Sequence, residues 1–175
     1  MRLFIAVNFD QTIIHYLTGI QNQLRGFSAH GNFTRKENLH LTVVFIGETL
    51  PARVRDITAI IDSIDARSFA ITINKAGSFK RNNGDIVWVG IENIEQLVYI
   101  QRQLADALIQ KGFDIDNRPY KPHLTLARSV RFNKGFSFHQ VHAPPIEINV
   151  NRISLMCSEQ INGVLTYTEI FGRSF

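Results

Sequence analysis

One cysteine, Cys157, is all the thiol chemistry in the 175-residue chain. It excludes an internal disulfide and a thiolate metal cluster, and a reducing compartment is the natural setting. No apolar run approaches the roughly 18 to 20 residues that cross a bilayer. The run Leu3-Phe4-Ile5-Ala6-Val7 follows Arg2 as the core of a signal peptide would. It is shorter than the roughly 7 to 15 residues of such a core, and Asn8 and Asp10 end it. A cytoplasmic protein without membrane contact is therefore expected. There is no low-complexity tract, and hydrophobic residues make up 45% against 19% charged, which excludes disorder over most of the length. No Walker loop and no nucleotidyl-transfer lysine motif is present. What charge excess there is, +4 with an isoelectric point near 9.5, leans towards an anionic partner.

Against this plain background two stretches say nearly the same thing: Asn38-Leu39-His40-Leu41-Thr42-Val43 and Lys121-Pro122-His123-Leu124-Thr125-Leu126. Side chains alternate between the faces of a strand. His40 and Thr42 thus share one face, as do His123 and Thr125, while Leu41, Val43, Leu124 and Leu126 point into a core. Neither motif is His-x-His or has a carboxylate at ligand spacing, so no metal and no cofactor is expected. Two imidazoles and two hydroxyls on rigid strands suit a metal-free phosphoryl-transfer site. The competing reading is polar residues on the solvent face of amphipathic strands.

Leu3 to Phe9 reads as a buried strand, with Asp10 as N-cap of a helix whose inner side is Ile13, Ile14, Leu17, Ile20 and Leu24 and whose stop is Gly26. A polar connection leads to the first His-x-Thr strand, Leu39 to Ile46, closed by Gly47. A helix follows from near Pro51 to about Ile64. Phe69 to Lys75 and Ile86 to Ile91 form a hairpin around a basic loop containing Lys80 and Arg81. Asn93, with Gln96 three residues on, starts a third helix in the manner of a capping box, and Gly112 ends it. After the second His-x-Thr strand, residues 129 to 145 read as a basic, aromatic loop. The chain closes as a hairpin, Ile146 to Glu159 and Val164 to Phe171, turned at Asn162-Gly163.

His123 lies 83 residues after His40, and the same shift places Leu3 to Phe9 on Ile86 to Glu92 and Asp10 on Asn93. Strand, helix, His-x-Thr strand therefore occurs twice, roughly in 1–48 and 84–131 of a single bilobal domain. Pseudo-twofold symmetry of that kind brings the two histidines to one cleft.

Together with the opening Arg2-Leu3-Phe4-Ile5-Ala6, Phe45-Ile46-Gly47-Glu48, Val87-Trp88-Val89-Gly90, Arg118-Pro119, Ala127-Arg128 and Tyr167-Thr168, these motifs resemble the 2H phosphoesterase superfamily. Within it, the chain is similar to the RNA 2′,3′-cyclic phosphodiesterases also called 2′-5′ RNA ligases. The resemblance implies an α+β, bilobal fold, with two antiparallel sheets lining a central cleft and helices outside. It departs before the first motif, where Phe33 and Arg35-Lys36 stand in place of the tryptophan and proline common in the family. It implies Phe45 as a platform for the nucleobase.

The residues support the same chemistry. Opening a cyclic phosphate needs a base for the nucleophile and an acid for the leaving oxygen, on opposite sides of phosphorus, and histidine serves as either near neutrality. The expectation is that His40 protonates O3′ and His123 activates water. Thr42 and Thr125 donate to the non-bridging oxygens, and Arg128 adds a cationic fork. Arg128 and Phe45 each lie five residues after a histidine, which on a regular strand is the wrong face, so a bulge or strand end is required. Trp88 is read as core. The expected partners are RNA 3′ ends or nucleotides bearing a 2′,3′-cyclic phosphate, acted on by a monomer. The alternatives are a non-catalytic RNA-end or nucleotide-binding module, and a related enzyme of small cyclic phosphodiesters or 2′-5′ oligonucleotides.

Overall fold

The computed structural model describes residues 1–175. Strand β1 (Arg2–Asn8) is buried from Leu3 to Val7 because both of its faces are covered. Leu3, Ile5 and Val7 enter the main core, while Phe4 and Ala6 form a small second cluster with Met156 on the opposite face. Helix α1 (Gln11–Gly26) starts as the sequence indicates, its Ile13 amide donating to the Asp10 carboxylate at 2.9 Å. Then come β2 (Ser28–Phe33), β3 (His40–Glu48), a short 3₁₀ turn at Pro51–Arg53 and α2 (Val54–Ser63). The second half holds β4 (Phe69–Phe79), β5 (Asp85–Glu92), α3 (Glu95–Gln110), β6 (His123–Phe132), β7 (Ile146–Val150), β8 (Arg152–Ile161) and β9 (Val164–Ser174). No helix is long and apolar enough to cross a membrane.

The strands make two antiparallel sheets, ordered β3-β1-β8-β9 and β2-β6-β5-β4-β7. Helix α1 lies against β2 and β6, and α3 against β3, so the helix of each half covers the His-x-Thr strand of the other. That exchange merges the two halves into one continuous core of 36 buried residues. Under a shift of 83 residues, β1, α1 and β3 fall on β5, α3 and β6, with ends agreeing within one or two residues. The α+β, pseudo-twofold architecture is as expected.

Local differences have physical reasons. The connection after α1 holds a full strand, β2, which pairs with β6 rather than with its own half. Asn93 does not cap α3: it sits at φ 58°, its side chain donating to the Thr72 hydroxyl at 3.1 Å, and Ile94 is the residue at the cap position. Gly112, at φ 79°, does end α3, with Gly112 and Phe113 amides donating back to Ile109 and Leu108. The stretch from Ile146 to Glu159 is two strands broken at Asn151, and they belong to different sheets. Residues 129–132 belong to β6, and the loop beyond is pinned to α1, where Gln23 exchanges two hydrogen bonds with the His142 backbone. The Asn162-Gly163 turn is as read, with both residues at positive φ.

Candidate active site

Strand β3 carries His40 and Thr42 on its half-exposed face while Leu41 and Val43 are buried, and β6 does the same with His123 and Thr125 above Leu124 and Leu126. Each strand then breaks its alternation. Opposite β1, Ile5 pairs with Val44 and Ala6 with Thr42, leaving Val43 as an extra residue. Opposite β5, Val87 pairs with Ala127 and Trp88 with Thr125, leaving Leu126 as the extra one. These bulges are 83 residues apart and have the same effect. Two consecutive core residues are followed by an outward one, Phe45 in the first strand and Arg128 in the second. The offset of five that a straight strand could not satisfy is thus resolved identically in both halves. Phe45 is 48% exposed, with the Arg2 guanidinium 5.2 Å from its ring centroid.

Both imidazoles are oriented by the same device. His40 Nδ1 is 2.7 Å from the Asn38 carbonyl, and His123 Nδ1 is 2.7 Å from that of Lys121, again two residues back. A carbonyl only accepts, so each Nδ1 carries a proton and each Nε2 is left for chemistry. His40 Nε2 lies 2.9 Å from the Thr42 hydroxyl. The surroundings differ: Phe4 and Tyr167 flank His40 at 4.8 and 5.2 Å, and the edge of Phe79 meets His123 at 5.2 Å. Burial lowers the His40 pKa below the usual 6.5, outweighing its backbone hydrogen bond, and the charge of Arg128 lowers it further. The field of Arg128 on His40 couples one strand's cation to the other strand's imidazole.

Reciprocal latches fix the strands to each other. The Tyr120 hydroxyl, from the lead-in to the second motif, donates to the Thr42 carbonyl at 2.7 Å. The Thr34 hydroxyl, from the lead-in to the first, donates to the Thr125 carbonyl at 3.2 Å. Buried Gln21 adds donations of 2.8 Å to both Thr34 and Leu126 carbonyls, supporting the β6 bulge. Burial raises the Tyr120 pKa well above the phenol range, so its hydroxyl stays a donor. Tyr120→Phe leaves the Thr42 carbonyl without that partner, and a stability loss of about 1 to 3 kcal/mol is expected in denaturant unfolding. The same variant should lower kcat more than it raises KM, because it loosens the relative placement of the two motifs rather than a substrate contact.

One sequence reading changes. Trp88 is not simply core: it lies opposite Thr125 and shares its sheet face, half-buried, with its indole N–H enclosed and unpartnered. Its ring lies over Gly77, where an added Cβ would sit 2.6 Å from the indole, so only glycine fits there. Arg118, just before the second motif, pairs at the surface with Asp116 and holds that carboxyl down at about 2. Tyr120, Thr34, Gln21 and Phe79 carry no sequence signature for these roles, since each acts on a partner far along the chain. Of His15, His30, His139 and His142, none has a threonine partner of this kind. No group of three His, Cys, Asp or Glu side chains is arranged to hold a metal ion.

Two antiparallel sheets, helices outside, and a His-x-Thr strand from each half in contact with the other agree with the fold that the resemblance implies. The profile of the 2′-5′ RNA ligase superfamily matches residues 18–161. An RNA 2′,3′-cyclic phosphodiesterase of Methanothermobacter thermautotrophicus is 34% identical over 73% of this chain and 71% of its own. One of Thermotoga maritima is 29% identical over 90% of this chain and 87% of its own. Escherichia coli LigT, solved with 3′-AMP, shares the fold at a TM-score of 0.80 and 24% identity, covering 99% of this chain and 97% of that one. The chain belongs to the 2′-5′ RNA ligase superfamily.

Proposed function

We propose that the protein hydrolyses 2′,3′-cyclic phosphates at RNA ends or on nucleotides to 2′-phosphomonoesters, with His40 and His123 as acid and base. The observation that carries this reading is the duplicated geometry: two imidazoles with Nδ1 held by a backbone carbonyl at 2.7 Å, which turns Nε2 towards proton transfer, at His40 beside the Thr42 hydroxyl. The relatives named RNA 2′,3′-cyclic phosphodiesterase support it. A cyclic phosphate set between the strands receives hydrogen bonds from Thr42 and Thr125 and charge from Arg128, while Phe45 offers its exposed face to the base.

His123 draws a proton from water as the oxygen attacks phosphorus in line, and His40 gives its proton to the departing O3′. The low pKa of His40 makes its protonated form a strong acid. The phosphate anion offsets both causes of that lowering, burial and Arg128, by pairing with the imidazolium. With a 5′-hydroxyl in place of water, the same steps join two ends through a 2′-5′ bond without ATP. Hydrolysis dominates because water is abundant and a second RNA end is not. The protein works as a monomer, each chain containing both motifs.

The test is a panel: an oligoribonucleotide ending in a 2′,3′-cyclic phosphate, a 2′,3′-cyclic mononucleotide and a 2′-5′ dinucleotide. Turnover of the cyclic substrates supports the proposal. Turnover of the dinucleotide alone would point to a different phosphodiester, and binding without turnover to a non-catalytic module.

A further inference from the structure

All 15 carboxylates of the chain fall outside two stretches, residues 11–36 and 117–146. The fold brings those two stretches together, since they contain β2 and β6, which pair at one edge of the second sheet. Along β6 the outward residues after Thr125 are Arg128 and then Arg131, roughly 10 Å further on. Both are exposed, and neither takes part in an ion pair. Across the strand pair Asn32 stands opposite Arg128 and His30 opposite Arg131, both exposed as well. Gly31 between them turns inward against Val130, where a Cβ would meet the Val130 side chain at 3.0 Å, so β2 presents Asn32 and His30 outward. The result is a polar, cationic ribbon that begins at the candidate phosphate site and runs to the sheet edge.

The other end of the cleft lacks such an uncompensated cationic row. Beyond Phe45 the surface is lined by Glu48, Asp114 and Asp116, of which Glu48 pairs with the N-terminal ammonium and Asp116 with Arg118, while Asp114 has no ion-pair partner. The pseudo-twofold relation makes this contrast a direction. Phe45 and Arg128 occupy equivalent places after equivalent bulges, one apolar and aromatic, the other cationic. A polyanion extending from the cleft is attracted past Arg128, where no carboxylate offsets the arginines, and finds no comparable attraction past Phe45.

We infer that the β2–β6 ribbon of Arg128, Arg131, Asn32 and His30 is a track for the phosphodiester backbone of single-stranded RNA upstream of the reacting terminal nucleotide. Given the phosphodiesterase reading of the cleft, on which this rests, the track makes an RNA end rather than a free nucleotide the preferred substrate. Its polarity sets the terminal base on the Phe45 side and the 5′ chain on the second sheet. The contacts are to phosphates, so the preference is for length and not for sequence.

The test compares kcat/KM for a cyclic-phosphate-ended pentaribonucleotide with that for the matching 2′,3′-cyclic mononucleotide. In Arg131→Ala the ratio of the two should fall by about tenfold, while Arg55→Ala, at an exposed position of α2, should leave the ratio where it is. In parallel, the anisotropy of a labelled oligoribonucleotide ending in a 2′-phosphate reads binding without turnover. There the variant should weaken binding and reduce the salt slope by about 0.7, the share of one phosphate contact on a single strand. An unchanged ratio and an unchanged slope would overturn the track. A wild-type protein that binds the oligonucleotide with the Arg131 dependence yet turns over neither substrate would sink the proposed activity and leave the track standing.

Discussion

Alanine at His40 or at His123 is expected to lower kcat by about 100- to 10,000-fold on a 2′,3′-cyclic phosphate, the range set by losing one positioned acid or base. Neither substitution should unfold the protein. Both imidazoles are only half-buried, and the strands carrying them are anchored from their other face by Leu41, Val43, Leu124 and Leu126. The losses should fall on kcat with KM little altered, because Thr42, Thr125 and Arg128 remain to hold the phosphate. The double variant should be scarcely worse than the poorer single one, since two groups serving one proton-transfer sequence do not add. A variant with near-normal turnover would mean that the imidazole in question is not part of the chemistry.

The next largest effect is expected from the groups aimed at phosphate oxygens. Arg128→Ala, Thr42→Val and Thr125→Val should each cost about 100- to 1,000-fold in kcat, the magnitude of removing one preorganised donor from developing negative charge. Valine keeps the β-branched shape that suits a strand, so the comparison isolates the hydroxyl. Thr42 carries a second consequence, because its hydroxyl is 2.9 Å from His40 Nε2 and also orders that imidazole. Steady-state kinetics of the three variants checks this. A rise in KM with kcat unchanged would make these residues ground-state binders only.

Much of this was legible in the sequence because the informative features are periodic and local. His-x-Thr on alternating strands, the 83-residue shift, the Asp10 cap and the Asn162-Gly163 turn each depend on a few adjacent residues. What was not legible depends on distant partners. Strand β2 reads Ser-Ala-His-Gly-Asn-Phe, with no apolar alternation, because only Gly31 and Phe33 turn inward and a glycine is what the close approach of Val130 leaves room for. Asn93 looks like a cap, yet its side chain goes to Thr72, a partner 21 residues away. The bulges at Val43 and Leu126 have no residue signature. Their need could be stated from the offset of five, but only the pairing registers with β1 and β5 show them. The Tyr120 latch joins residues 78 positions apart and follows from packing alone.

The most direct test of the claim that one histidine from each half works on the same phosphate is the pH dependence of kcat/KM in the wild type and in the two alanine variants, in the presence of EDTA. The account predicts a bell in the wild type, with one limb missing in His40→Ala and the other in His123→Ala. Because the His40 pKa is lowered, the limb lost with His40 should have its midpoint below 6.5. With His40 as the proton donor to O3′ that limb is the basic one, so efficiency falls as pH rises through it. A bell that keeps both limbs in either variant, or a wild type silenced by EDTA, would contradict the account.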